Sequence, residues 1–174
     1  SLFDIDCLSL FGTNSFNLVW EKICADIMDN QLDVPLGAIK LPVPLKDGYD
    51  RKKKLIELIE KPLWTATGKT AKDTLIPDLI SICKIDRQYQ FIIFDAKYYN
   101  ALLENGTAQP GIESVTKQYL YQLAYQKFID EHEFSVVKNC FLLPTENNEI
   151  EEKGEVRLNM LANLGLQDIK VRFI

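Results

Sequence analysis

An α/β fold, with a mixed central sheet flanked by helices, is the class this sequence predicts, and three observations carry it. Residues 75–85 and 90–99 are rich in β-branched and aromatic side chains and are parted by the polar Asp86-Arg87-Gln88, the pattern of an antiparallel hairpin. Residues 114–131 place Tyr121, Ala124, Tyr125 and Phe128 on one side of a long helix. The elements follow the order α–β–β–α–β–β, which layers helices against a sheet.

Taken in order, residues 13–30 read as the first helix. Ser15 is its expected N-cap, and Phe16, Val19, Trp20, Ile23 and Ile27 follow at helical spacing, with Glu21 at the flank of that stripe. From Gln31 to Asp50 the prolines and glycines (Pro35, Gly37, Pro42, Pro44, Gly48) predict a loop or extended arm. A short helix is expected over 51–60, ended by Pro62. Residues 31–74 thus form an arm inserted in a single domain spanning 1–174. After the hairpin, 100–111 reads as a loop. A strand is expected over 134–143, stopped by Pro144, then a polar loop over 145–153 and strands over 155–160 and 168–174.

The bulk numbers agree with a packed domain. The chain has 174 residues, 47% of them hydrophobic and 26% charged. Roughly 150 residues per domain is the usual expectation, and a domain near that size buries about 68–70% of its unfolded surface. No apolar run approaches the roughly 20 residues needed to span a bilayer, and no signal-peptide pattern opens the chain, so no membrane partner is expected. The first residue is Ser1 rather than Met, as in a processed chain or a fragment. Cys7, Cys24, Cys83 and Cys140 are far apart and form no Cys-x-x-Cys pair, and His132 is the sole histidine. That excludes the usual zinc sites and predicts reduced core thiols in a cytoplasmic protein.

The net charge of −5 argues against simple coating of nucleic acid, yet phosphate contacts need only local basic surface. Arg51-Lys52-Lys53-Lys54 and the Lys69/Lys72 pair are the local candidates. Gly68-Lys69-Thr70 has the ending of a phosphate-binding loop, but Leu63 stands where that motif requires glycine, so nucleotide binding is excluded there. Tyr98, Tyr99, Tyr119, Tyr121 and Tyr125 could stack on bases, though their positions favour the core. His132, near a helix end, is expected to act as a capping cation.

The chemistry concentrates in Pro77-Asp78 and Asp95-Ala96-Lys97. Ile92, Ile93 and Phe94 predict a strand buried on both faces, which Asp95 and Lys97 then interrupt at i and i+2, on one face. Buried charge is costly unless it is paired or binds a metal. A lone Asp-x-Lys is an ordinary edge-strand ion pair. Asp78, seventeen residues upstream on the partner strand, makes the set specific. A hard divalent cation such as Mg²⁺ takes one or two carboxylates and keeps several waters. Asp78 and Asp95 supply those ligands, and the Ala96 carbonyl can add a third oxygen. Lys97 would orient the attacking water or offset charge on the phosphate.

These motifs resemble the PD-(D/E)XK nuclease signature, and their context is similar to the LlaJI-type restriction endonucleases. The likeness runs through Phe16-Asn17-Leu18-Val19-Trp20-Glu21, Ile76-Pro77-Asp78 and Phe94-Asp95-Ala96-Lys97-Tyr98-Tyr99. It continues in Lys117-Gln118-Tyr119-Leu120-Tyr121 and Phe141-Leu142-Leu143-Pro144. The resemblance implies a restriction-endonuclease-like core and an Mg²⁺-dependent endonuclease, with Mn²⁺ as substitute, that cuts double-stranded DNA. It implies that Glu21 completes the metal site and that Gln118, or Gln122 one turn on, lies near the DNA. It also implies a restriction system, with room for a nucleotide-driven motor or specificity subunit. Cutting both strands requires two active sites, hence a homo-oligomer or larger complex. The Gln-x-x-x-Tyr spacing of related exonucleases is absent. The alternatives on this scaffold are a repair or recombination nuclease and a catalytically silent DNA-binding subunit.

Overall fold

The computed structural model describes residues 14–98, 109–147 and 149–174. Cys7, Thr13 at the expected start of the first helix, Tyr99 and positions 100–108 of the expected loop lie outside them, as does the Ser15 side chain.

In chain order, α1 (Asn14–Ile27) leads into an arm with 3₁₀ turns at Leu36–Ala38 and Leu55–Leu58. A small hairpin follows, β1 (Leu63–Trp64) with β2 (Lys69–Thr70). Then come β3 (Leu79–Ile85), β4 (Gln88–Ala96), α2 (Ile112–Glu131), β5 (Val136–Leu143), β6 (Glu151–Val156) and β7 (Ile169–Phe173). The last five strands form a mixed sheet in the order β3-β4-β5-β7-β6. β3 and β4 are antiparallel, β4, β5 and β7 run parallel, and β6 returns antiparallel to β7. This is an α/β fold consistent with a restriction-endonuclease-like core.

Alternation along the strands sorts the core into two layers. Phe91 and Ile93 of β4 join Ile80, Ile82 and the α2 residues Tyr121, Tyr125, Phe128 and Ile129. The arm adds Leu32, Leu36, Ile39, Leu55 and Ile59 to that layer. Ile92, Phe94 and Ala96 point the other way, to Leu79, Cys140, Leu142 and Cys24 of α1. β4 is buried from Gln90 to Ala96, as its apolar run predicts. Tyr119, Tyr121 and Tyr125 are core residues.

Several expectations are corrected. α1 packs through Trp20, Cys24 and Met28, while Val19, Ile23 and Ile27 are exposed. Its apolar residues wrap so far round the helix that either row could face the sheet, and the 20-24-28 row wins. Phe16 is also partly exposed and stacks at 4.5 Å on Tyr98. β3 begins at Leu79 rather than at 75, because Pro77 has no N–H to give a ladder. β4 ends at Ala96 rather than 99. The hairpin turn shrinks to Asp86-Arg87, both at positive φ (49° and 68°), as a tight two-residue turn requires. The expected helix over 51–60 is a single 3₁₀ turn. β6 begins within the expected 145–153 loop and stops at Val156, and a 3₁₀ turn covers Asn159–Leu164.

His132 stands at the C-cap of α2, as expected, but as a buried hydrogen-bonding ring. It is fully buried, with Nδ1 2.8 Å from the Phe128 carbonyl while the Lys46 N–H donates to Nε2 at 3.2 Å. An imidazole that accepts at Nε2 carries its proton on Nδ1, so the ring ties the arm to the end of α2 as a hydrogen-bonded bridge. Cys24, Cys83 and Cys140 are free thiols. Burial pushes Cys24 up to about 12 and Cys140 up to about 11. Gly68 lies at positive φ in the β1–β2 turn rather than before a helix, so the false phosphate loop is a hairpin bend.

Each outer strand carries a local feature that interrupts its free edge. On β3, the Ile80 N–H donates to the Asn30 side-chain oxygen at 3.0 Å and the Gln31 N–H donates to the Ile80 carbonyl at 2.8 Å. Gln31 Nε2 donates to the Ile82 carbonyl at 3.2 Å. On β6, the register shifts between Glu152 and Glu155, around Gly154 at φ 86°.

Candidate active site

The register of β3 on β4 pairs Leu79 with Phe94, so Asp78 lies beside Asp95 at the mouth of the hairpin. The Ala96 N–H donates to Asp78 Oδ2 at 2.8 Å. The Asp78 and Asp95 carboxyls lie close enough to act on one another's charge. Asp95 is buried at 5% exposure, and Lys97 Nζ sits 2.8 Å from its Oδ1. Asp78, Asp95 and Lys97 therefore converge as the i, i+2 spacing and strand pairing require.

Electrostatics at this point are unfavourable for two bare carboxylates. Burial first, then Asp95, pushes the Asp78 carboxyl up to about 8, despite the Ala96 N–H, with a further push from Glu21. Asp78 thus holds a proton at neutral pH when no cation is present. Such a pair is poised to exchange that proton for a metal ion.

Glu21 is half-buried on α1, and its charge reaches Asp78. It does not close a three-acid cluster: among the described residues no group of three or more His, Cys, Asp or Glu side chains is arranged to hold a metal. The donor set fits Mg²⁺ all the same, since that ion is commonly held by one or two carboxylates and completes its shell with water.

Gln118 is placed differently from the expectation that it lies at the DNA. It is fully buried, Nε2 donates to the Ile93 carbonyl at 2.9 Å, and Oε1 has no partner among the described residues. It anchors α2 to β4 two residues before Asp95. Gln122 is also buried: Oε1 accepts from Asn139 Nδ2 at 2.8 Å and from the Gln167 N–H at 2.9 Å. Both amides do structural work. Gln118→Ala is expected to cost about 1–3 kcal/mol, because the Ile93 carbonyl loses its buried donor. Urea unfolding measures that cost, and an unchanged stability would refute the anchor.

Two neighbours were given no place in the carboxylate site by the sequence. Tyr121, buried under the site, is pushed up to about 12 by burial and then by Asp95 and Asp78. Lys117, one turn earlier, pairs with Glu113 at 2.6 Å, and its charge also reaches Asp95 and Asp78. The four-residue spacing of 113, 117 and 121 is the signal that puts them on one helix edge.

Comparison with known proteins follows this geometry. The LlaJI restriction endonuclease family model matches residues 46–172, which include Asp78, Asp95 and Lys97. Over 162 residues the chain is 29% identical to the Type II restriction enzyme BsuMI component YdjA of Bacillus subtilis (strain 168). That match covers 88% of this chain but 30% of the relative, so the chain spans less than a third of that protein's length. No solved structure matches. With nearly three quarters of its residues inside the family model, the chain belongs to the LlaJI restriction endonuclease family.

Proposed function

We propose that the chain is an Mg²⁺-dependent endodeoxyribonuclease of the PD-(D/E)XK type, acting on double-stranded DNA in a restriction-modification system. The observation that carries this reading is the Asp78–Asp95 carboxyl pair set side by side by the β3–β4 register, with Lys97 on Asp95 at 2.8 Å. Asp78 and Asp95 would hold the cation, with the Ala96 carbonyl and the Glu21 carboxylate as the further protein oxygens that could serve it. When bound, the cation supplies Lewis-acid stabilisation of the scissile phosphate. Asp78 would release its proton to solvent on taking up the cation. Lys97 turns from Asp95 towards the phosphate and the attacking water, where a fixed positive donor offsets charge developing in the transition state. Gln118 holds the Asp95 strand in place from below.

The relative's description as a component favours a larger assembly, in which another subunit supplies specificity or a nucleotide-driven motor and a second copy cuts the other strand. The protein is expected in the cytoplasm, where DNA and reduced thiols coexist. Incubating supercoiled plasmid with the protein in Mg²⁺, in Mn²⁺ and in EDTA tests the reading. Nicking or linearisation in either metal, abolished by EDTA and by Asp95→Asn, is the expected result. No cleavage of any duplex by wild type would leave the silent DNA-binding subunit as the better account.

A further inference from the structure

The small β1–β2 hairpin has no role in the chemistry above, and it is built unlike the rest of the molecule. Every residue from Lys61 to Thr70 is exposed, including Leu63 at 60% and Trp64 at 66%. A two-stranded hairpin alone in water is marginal, and a bare tryptophan gains nothing from solvent. The ribbon is nonetheless well specified. Thr67 and Gly68 donate their N–H groups to the Trp64 carbonyl at 3.0 and 2.9 Å, and the Lys69 N–H donates to Thr67 Oγ1 at 3.3 Å. At the root, the Ala71 N–H donates to the Pro62 carbonyl at 2.8 Å and Thr74 Oγ1 to the Glu60 carbonyl at 2.6 Å.

The register gives the ribbon two distinct faces. Leu63 pairs with Thr70, and Trp64 with Lys69. Directly opposed residues share a face, so Trp64 and Lys69 stand side by side. Leu63 lines the cleft between the ribbon root and α2, and Trp64 does not. The Trp64/Lys69 face is therefore turned away from the body. Charge follows the same division: residues 61–72 carry Lys61, Lys69 and Lys72 and no carboxylate, in a chain of net charge −5. The whole arm, 31–74, has nine basic against six acidic side chains. Thr74 is four residues from Asp78, a span of at most about 14 Å even fully extended. One duplex can touch both.

We propose that the β1–β2 ribbon is a DNA-contacting element, with Lys69 and Lys72 on backbone phosphates and Trp64 laid against a sugar or base edge in the groove beside the cleavage point. A two-stranded ribbon fits the major groove, phosphate contacts fix register, and an aromatic plane adds affinity with little sequence preference. This rests on the nuclease reading, and the experiment separates the two.

The chain has two tryptophans, so Trp20→Phe leaves Trp64 as the sole emitter. Titrating that protein with a duplex oligonucleotide, in Ca²⁺ in place of Mg²⁺ to avoid cutting, should quench its emission. Trp64→Ala should weaken binding roughly tenfold. Lys69→Ala with Lys72→Ala should lower affinity and flatten the log–log salt dependence by about 1.8, the release expected for two phosphates. Unquenched Trp64 emission at saturating duplex would overturn the ribbon. So would wild-type binding and cleavage by the triple variant, while leaving the nuclease reading in place. A wild-type protein that neither binds nor cuts duplex DNA overturns both.

Discussion

Lys97→Ala is expected to lower plasmid cleavage by about 10²–10³ while leaving the fold and the affinity for Mg²⁺ largely unchanged. Lysine is no ligand for a hard cation, so Asp78 and Asp95 can hold the ion without it. What is lost is the ammonium that sits 2.8 Å from Asp95, just past the end of β4, and that the proposed mechanism turns towards the phosphate. Were Lys97 only the partner of a structural ion pair, the substitution would lower stability slightly and leave cleavage alone. Cleavage rates and thermal melts in Mg²⁺, run on the two proteins side by side, separate these cases. A wild-type rate would remove Lys97 from the mechanism.

Asp78→Asn is expected to abolish cleavage and, without metal, to make the protein more stable at alkaline pH. The folded Asp78 carboxyl keeps its proton up to about 8, and the unfolded one loses it near 4. Between those values the folded state binds the extra proton, so stability is greatest at the acidic end of the window. It declines as pH rises, by up to roughly 1.4 kcal/mol per pH unit for this group. Asparagine can still donate to Asp95 and never ionises, so its contribution stays flat. Melting temperatures in EDTA should fall from pH 5 to pH 8 for wild type and fall less for the variant. Saturating Mg²⁺ should restore the wild type at pH 8, since a cation bound to the folded state stabilises it by mass action. Parallel melting curves for the two proteins in EDTA would show that Asp78 is not held protonated.

How much of this was legible in the sequence depends on how local the determinant is. The convergence of Asp78, Asp95 and Lys97 follows from one hairpin: a strand period of two and a pairing across a tight turn. The two-faced burial of β4 is likewise written in Ile92-Ile93-Phe94. α1 was harder, because apolar residues at 16, 18, 19, 20, 23, 24, 27 and 28 encircle it, and only the shape of the sheet surface decides between rows. Gln118 entered only through the family resemblance, and nothing local in the sequence tells that the carbonyl of Ile93 lies beneath it. The ribbon escaped notice because strands of two residues have no period to detect, and Gly68 drew attention to a phosphate loop instead.

The interrupted margins of the sheet bear on how copies of this protein can gather. An outer strand with free amides is a template that any extended chain can copy, folded partner or misfolded neighbour alike. Here Asn30 and Gln31 already occupy the backbone groups of Ile80 and the carbonyl of Ile82. The opposite margin offers Glu151, Glu152, Lys153 and Glu155 around a bulge. Charge and a bulge on one side, and side-chain caps on part of the other, make each margin a poorer ladder for a second copy to extend when molecules crowd along a stretch of DNA.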